Sequence, residues 1–329
     1  MDLDVVFLGT AGAVPTAQRG TAATLVRRGG DRLLIDCGEG TQRQLLRSGA
    51  GLAELDTIFV THLHADHFLG LPGILKTFAL RGRDQPLAVH GPRGLRDLVR
   101  SLARVFGRLT FALDLVELEP GQPVLLDGYR IEPVETDHGL PSLGYALVEP
   151  LRPGRFDAAA AAVAGVPFGP LYGELQRGRP VTLADGTVVA PDGLVGPARP
   201  GRRLVFSGDT RPCEQLVEAA AGADLLVMEA TFMDAEADRA GETGHSTALQ
   251  AAQIAARAQV SLLALTHLSQ RSMPREIAAE ARAVFPETVV PRDFDAVELP
   301  FRERGAPRLV RAADRRAAAE PAGAAPGAR

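Results

Sequence analysis

The segment His62-Leu63-His64-Ala65-Asp66-His67 puts four metal-ligand side chains within six residues. His62 and His64, two apart, project the same way if the extended chain that enters the segment continues. Asp66 and His67 follow after the chain turns, so the segment can serve two adjacent metals, one through each pair. Imidazole with carboxylate is a donor set that zinc prefers, and manganese or iron also accepts it. Without a cation, burying four such groups together carries a heavy desolvation cost. Two divalent metals side by side lower the pKa of a bridging water enough to give hydroxide at neutral pH. The segment therefore predicts a two-metal hydrolase.

More ligands are required, and the chain supplies them in matching places. His138 follows the strand-like run 131–135, Asp209 follows 204–206, and His267 follows 260–265. A side chain just past a strand end is aimed by a rigid scaffold. His90 also ends such a run, but Gly91-Pro92 turns the chain there, and we read it as structural.

The elements that must position these residues are legible in outline. The run 5–8, closed by Gly9, reads as a buried strand. Gly29-Gly30-Asp31 and Asp127-Gly128 punctuate hairpins. Helices are expected over 40–47, 72–80 and 94–106. Ser246 or Thr247 caps another that runs to about Ala258, and Ser272 caps a last one with Pro274 in its first turn. Strands alternate with helices in both halves, and each half carries hairpins. That pattern predicts an α/β (α+β) fold, two mixed sheets packed face to face with helices outside. Residues 150–200 are rich in Gly, Pro and Ala and lack periodicity, which reads as a long excursion from the core. From Arg302 the chain alternates Ala, Pro, Gly and Arg, and disorder is expected. The expected organisation is a catalytic domain over 1–301, an inserted arm at about 150–200, and a disordered tail over 302–329.

Composition narrows the partners. The 329 residues are 46% hydrophobic and 23% charged, with a formal net charge of −4, so no global basic field advertises nucleic acid. A local basic patch remains compatible with that balance. Lys76 is the only lysine, and arginine grips phosphate bidentately. Cys37 and Cys213 form neither a disulfide framework nor a zinc knuckle. The acidic start Met1-Asp2-Leu3-Asp4 is unlike a signal peptide, and no apolar stretch approaches the roughly 20 residues of a membrane helix. A cytoplasmic enzyme without membrane or DNA partners is expected.

The order HxHxDH, then His138, Asp209 and His267, resembles the metallo-β-lactamase superfamily, which implies an αββα sandwich with a two-metal site at one edge. Within it the chain is similar to the ribonuclease Z family, endonucleases that trim 3′ trailers from precursor tRNA. The similarity runs from Val5 to about Leu299. It rests on Phe7-Leu8-Gly9-Thr10, Asp36-Cys37-Gly38-Glu39-Gly40-Thr41-Gln42, Phe206-Ser207-Gly208-Asp209-Thr210, Glu229-Ala230-Thr231-Phe232, His245-Ser246-Thr247 and Leu265-Thr266-His267. The Glu-Ala-Thr-Phe and His-Ser-Thr segments are the most specific to ribonuclease Z.

The resemblance implies two Zn²⁺ per subunit, with Mn²⁺ as a substitute. His62, His64 and His138 would hold one, Asp66, His67 and His267 the other, and Asp209 would bridge both. Asp66 would also orient the nucleophile, and His245, held by Glu229, would protonate the leaving oxygen. The excursion matches an arm that clamps tRNA, with Gly169 and Pro170 in its Gly-Pro motif, although 158–164 holds no basic residue. Arg271 is a candidate phosphate contact. A homodimer is implied, one subunit's arm serving the other's site. Two rivals stand against this reading. One is a two-metal hydrolase of a small phosphodiester or ester. The other is a noncatalytic tRNA-binding scaffold, in which ligands are usually lost.

Overall fold

The computed structural model describes residues 1–52 and 54–319. In β1 (Leu3–Gly9), Val5, Val6, Phe7 and Leu8 are all buried, two on each face, so the strand needs cover on both sides. It pairs antiparallel with β2 (Ala23–Arg28), which turns through Gly29-Gly30 into β3 (Asp31–Ile35). Helical crossovers follow. α1 (Thr41–Ser48) leads to β4 (Thr57–Phe59), and α2 (Ala65–Phe68) and α3 (Leu71–Leu80) lead to β5 (Leu87–Gly91). α4 (Leu95–Ser101) and α5 (Ala103–Phe106) lead to β6 (Leu113–Glu117). Strands β3 to β6 run parallel.

The second half repeats the plan. β7 (Val124–Leu126), β8 (Tyr129–Glu135) and β9 (Leu143–Val148) are antiparallel. The chain then leaves for the excursion: α6 (Ala158–Val163), α7 (Pro170–Gln176) and the hairpin β10 (Val181–Thr182) and β11 (Val188–Val189). It returns as β12 (Arg203–Phe206), antiparallel to β9. α8 (Glu214–Ala220) leads to β13 (Leu225–Glu229), α9 (Ala237–Thr243) and α10 (Ala248–Ala258) to β14 (Leu263–Thr266), and α11 (Pro274–Arg282) to β15 (Thr288–Val289). Strands β12 to β15 are parallel. The chain ends in the first sheet with β16 (Ala296–Glu298), β17 (Arg308–Val310) and α12 (Ala312–Ala319).

The result is four layers. Inner faces of both sheets share one core that includes Phe7, Phe59, Tyr145 and Phe206. The outer face of each sheet packs on its own helices, through Leu71 and Ile74 in the first half and Ala251 and Ile254 in the second. No helix among the described residues is long and apolar enough to cross a membrane.

Three expectations need revision. The tail is not featureless from Arg302. Residues 308–310 pair antiparallel with β16, because an alternating Arg-Leu-Val run finds an open sheet edge and lays Leu309 on the inner core. Residues 320–329 lie outside the described residues. The excursion has a small core of its own, Ala161, Val166, Leu175, Val181 and Leu194. Its root is a two-chain stalk in which Arg152 and Arg199 exchange backbone hydrogen bonds at 2.8 and 2.9 Å. Ser272 caps nothing: α11 follows Met273 with no side-chain cap, whereas Thr247 closes a full capping box with Gln250.

Candidate metal centre

Strands β3, β4, β8, β12, β13 and β14 all end at one edge of the sandwich, since β8 runs antiparallel to β9 and β9 antiparallel to β12. The residues just past these ends are therefore gathered in one place. His62 and His64 follow β4, with His64 extended (φ −69°, ψ 153°) at the N-terminus of α2, which carries Asp66 and His67. His138 follows β8, Asp209 follows β12, and His267 follows β14 at φ +57°. A histidine with positive φ is uncommon and persists where the surroundings impose it.

Among the described residues the ligand-type atoms form five overlapping groups; two include His245, with His138 and Asp209 and with Glu229 and His267, and two match the expected ligand sets. His62, His64 and His138 lie within 4.8 Å of one another, and so do Asp66, His67 and His267. In the first group the His64 Nδ1 is 3.0 Å from the His62 Nε2 and 3.2 Å from the His138 Nε2. In the second the His267 Nε2 is 3.2 Å from the His67 Nε2 and 3.1 Å from the Asp66 Oδ2. Asp209 sits between them. Its Oδ2 is 3.8 and 4.0 Å from the Nε2 atoms of His62 and His138, and 3.4 and 3.3 Å from those of His67 and His267.

Neighbours behind the cluster decide which ring nitrogen points inward. The His138 Nδ1 donates to the Gly244 carbonyl at 2.7 Å, and a carbonyl only accepts. Gly244 can approach so closely because it has no side chain: at φ +81° a Cβ there would lie 2.9 Å from that same nitrogen. The His67 Nδ1 is 2.8 Å from the Asp36 Oδ2, and the His267 Nδ1 is 2.9 Å from the Thr231 Oγ1. Thr231 donates its own hydroxyl to Glu229 at 2.6 Å, so it accepts from His267. Thr61 likewise donates to Asp36 and stands 3.1 Å from the His62 Nδ1. Four Nε2 lone pairs thus converge. The Asp209 Oδ1 is buried with no hydrogen-bond partner among the described residues. Converging lone pairs around an unpartnered carboxylate oxygen are stabilised by a cation, and carboxylate- or hydroxyl-backed imidazoles are the usual support of a metal ligand. The residues fit divalent metal.

The electrostatics carry the same imbalance. Burial, then the proximity of His67, pushes the His62 pKa down to about 2. Burial alone would raise Asp209, but His267 and His67 hold it well below the usual carboxylate range. Asp66 behaves alike, its burial outweighed by the bonds to His267 and His67. Burial would lower His67, yet Asp209 and Asp36 hold it well above 6.5.

His245 and Glu229 lie beside the cluster. The His245 Nδ1 is 2.9 Å from the Glu229 Oε1 and 3.8 Å from the Asp209 Oδ2. Burial opposes protonation of His245, and Glu229 and Asp209 outweigh it, so its pKa is raised. Glu229 is buried, accepting also from the Thr210 N–H at 2.8 Å and from Thr231. Arg271 is not in the cluster; its guanidinium pairs with Glu236 at 2.7 Å. Gly169 and Pro170 begin α7 on the arm. His90 is also outside, stacked on Phe59 with centroids 4.7 Å apart.

Six supporting residues escaped the residue-type search, Thr61 and Gly244 among them. Asp36, at φ +61°, and Thr231 lie within segments that carry the family resemblance but are not themselves ligand-spaced. Ala13 donates its backbone N–H to the Asp66 Oδ2 at 2.9 Å, and a Cβ on Gly12 would meet the His267 Nδ1 at 2.8 Å. Only a clustering of small residues around 9–13 hinted at so close an approach.

Comparison with known proteins agrees with this geometry. Residues 31–268 match the beta-lactamase superfamily domain. The chain is 50% identical over 309 residues to ribonuclease Z of Natronomonas pharaonis, covering 92% of this chain and 99% of that one. It is 48% identical to ribonuclease Z of Gemmatimonas aurantiaca, covering 92% and 98%. Among solved structures, the short form of human tRNase Z superposes with a TM-score of 0.65 at 29% identity, covering 90% and 99%. Identity of this extent along nearly the whole chain, with two ligand groups and an adjacent His–Glu pair assembled at one sandwich edge, places the chain in the ribonuclease Z family.

Proposed function

We propose that this protein is a zinc-dependent endoribonuclease of the cytoplasm that removes 3′ trailers from precursor tRNA, with manganese as an alternative metal. The observation that carries the reading is the His245–Glu229 pair, poised next to two complete ligand groups in a chain so similar to ribonuclease Z. A metal site alone would suit many hydrolyses. A separately held proton donor suits one with a poor leaving group, such as a ribose 3′ oxygen.

His62, His64 and His138 would hold one ion, Asp66, His67 and His267 the second, with Asp209 shared. Bound there, zinc would supply Lewis acidity toward the phosphate oxygens and an activated water. The Asp66 Oδ2, steadied by the Ala13 N–H, orients the attacking water and accepts its proton. The water oxygen bonds to phosphorus as the bond from phosphorus to O3′ breaks. His245, its Nδ1–H anchored on Glu229, gives a proton from Nε2 to O3′. The products are a tRNA 3′-hydroxyl and a trailer 5′-phosphate. Arm residues around Gly169 and Pro170 engage tRNA away from the cut, and the working unit is a homodimer with each arm serving the partner's site.

The direct test incubates zinc-loaded protein with a precursor tRNA bearing a 3′ trailer and maps the cut. A single cut at the trailer junction with a 3′-hydroxyl on the tRNA is expected. Intact precursor, alongside turnover of bis(p-nitrophenyl) phosphate, would favour the small-phosphodiester reading.

A further inference from the structure

The arm is poor in free positive charge. Arg177 and Arg179 pair with Glu174, Arg152 and Arg199 both pair with Glu303, and Arg155 alone of the arm's arginines is exposed without an ion pair among the described residues. A polyanion needs unpaired cations elsewhere, because neutralised phosphates supply most of the affinity. The described residues hold such a group beside the metal centre.

Three grooves of about 370, 490 and 350 Å³ run into one another along α1. The first and second share Gly40 and Arg43, and the second and third share Arg47 and Phe294. The first opens at Leu69 and Gly70, directly after the helix that carries Asp66 and His67. Arg43, Arg47, Arg292 and Arg315 line this furrow, and none of the four forms an ion pair among the described residues. Arg43 and Arg47 stand four apart on one face of α1, a like-charge pair that destabilises an isolated helix. The Arg47 guanidinium lies 5.0 Å from the centroid of the Phe294 ring, which is half-buried and held at φ +72°. The furrow's acids do not neutralise the row. Asp293 is occupied by the Gly20 N–H, Thr10 and Gln44, and Glu39 alone is exposed.

We infer that this furrow is a binding track for single-stranded RNA, and that the strand it takes is the trailer downstream of the cut. A groove of guanidiniums around an aromatic ring is how sequence-tolerant single-strand sites are built, with phosphates on the cations and a base on the ring. An open surface furrow suits a strand more than a duplex. Its start bears on which strand: it opens at Leu69 and Gly70, next along the chain from Asp66 and His67, whereas His245, which gives its proton to the departing tRNA O3′ in the reaction proposed above, comes from the other half of the chain. The inference rests on the ribonuclease reading for the strand's identity, and on the furrow alone for binding.

The test uses the full-length zinc-loaded protein and the triple variant Arg43→Gln/Arg47→Gln/Arg292→Gln, with thermal unfolding to verify that the variant is folded. Binding of a fluorescent oligouridine 12-mer, which needs no turnover, should weaken roughly 10- to 100-fold, and the slope of log K against log salt should shrink by about 2 for three lost phosphates. With precursor tRNA, kcat/KM should fall about as much for a 12-nucleotide trailer and less than about twofold for a one-nucleotide trailer. Unchanged oligonucleotide binding overturns the furrow. An equal loss for both trailers shows that it holds the tRNA body and overturns the trailer assignment. If the wild type binds the oligonucleotide with the expected slope yet cuts no precursor, the furrow stands and the ribonuclease reading falls.

Discussion

Three of the histidines proposed as ligands each have a second residue behind them. His67 has Asp36, His267 has Thr231 and through it Glu229, and His138 has the Gly244 carbonyl. Removing such a support leaves the ligand present but free to rotate. Asp36→Asn should therefore weaken metal binding by roughly 10- to 100-fold without abolishing it, measured by competition with a fluorescent chelator. His245 holds a different position, paired with Glu229 and belonging to neither of the two groups read as ligand sets. His245→Ala should retain its zinc by elemental analysis and lose roughly 10²- to 10⁴-fold in precursor cleavage. Full cleavage with zinc bound would remove it as the proton donor. The clustered histidines and aspartates were readable from residue type because such a residue past an apolar strand is conspicuous. Asp36 and Thr231 were not, since what each supports lies 31 and 36 residues away along the chain.

At the scale of elements, β5 carries a histidine, His90, that lies outside the ligand cluster. Burial pushes the His90 pKa down to about 4, and its Nδ1 has no hydrogen-bond partner among the described residues. Above pH 6.5 the ring is neutral folded or unfolded, so native stability is complete. As pH falls from 6.5 towards 4 the unfolded chain takes a proton that the folded chain refuses, and stability drops by about 3 kcal/mol in all. His90→Phe, which preserves the stack on Phe59, should flatten that part of the acid limb in urea titrations; an unchanged limb would show that other groups set it. The stalk of the arm is a second element with an external tie. Glu303 bonds both its chains, through Arg152 and Arg199 at 2.9 Å each, and the Arg152 guanidinium lies 3.5 Å over the Phe301 ring. Glu303→Ala should raise KM for precursor tRNA a few-fold at unchanged kcat and leave small phosphodiester turnover alone. Because exposed ion pairs contribute little to stability, unfolding should barely move. Neither tie was legible. Glu303 sits in the stretch from Arg302 whose composition reads as disordered, and only the returning β16–β17 edge brings it against the arm.

At the scale of the whole molecule, the division of labour is testable by mixing. A copy lacking residues 150–199 should keep its metal ligands, and a His245→Ala copy should keep its arm. Each alone should be nearly inactive on precursor tRNA. Co-refolded, they should regain a substantial part of wild-type cleavage if one subunit's arm serves the other's site. No recovery, with both copies shown to dimerise by sedimentation, would place the arm in service of its own subunit. The arm-deleted copy alone should still hydrolyse a small phosphodiester, and equal loss on both substrates would end the case for a separate clamp.

The sequence by itself determined the chemistry and the architecture that holds it. HxHxDH and its three distant partners named the residues proposed as ligands, which the fold gathers at one edge, and alternating strands and helices with hairpins in each half named two covered sheets. Both are local signals, since side-chain type and periodicity are written residue by residue. Only the tertiary structure decided the rest: which ring nitrogen each histidine turns inward, that Asp209 lies within 4.0 Å of both groups, that 308–310 closes the first sheet, and that arginines from 43 to 315 share one furrow. These depend on contacts between residues far apart in the chain, and no local pattern records them.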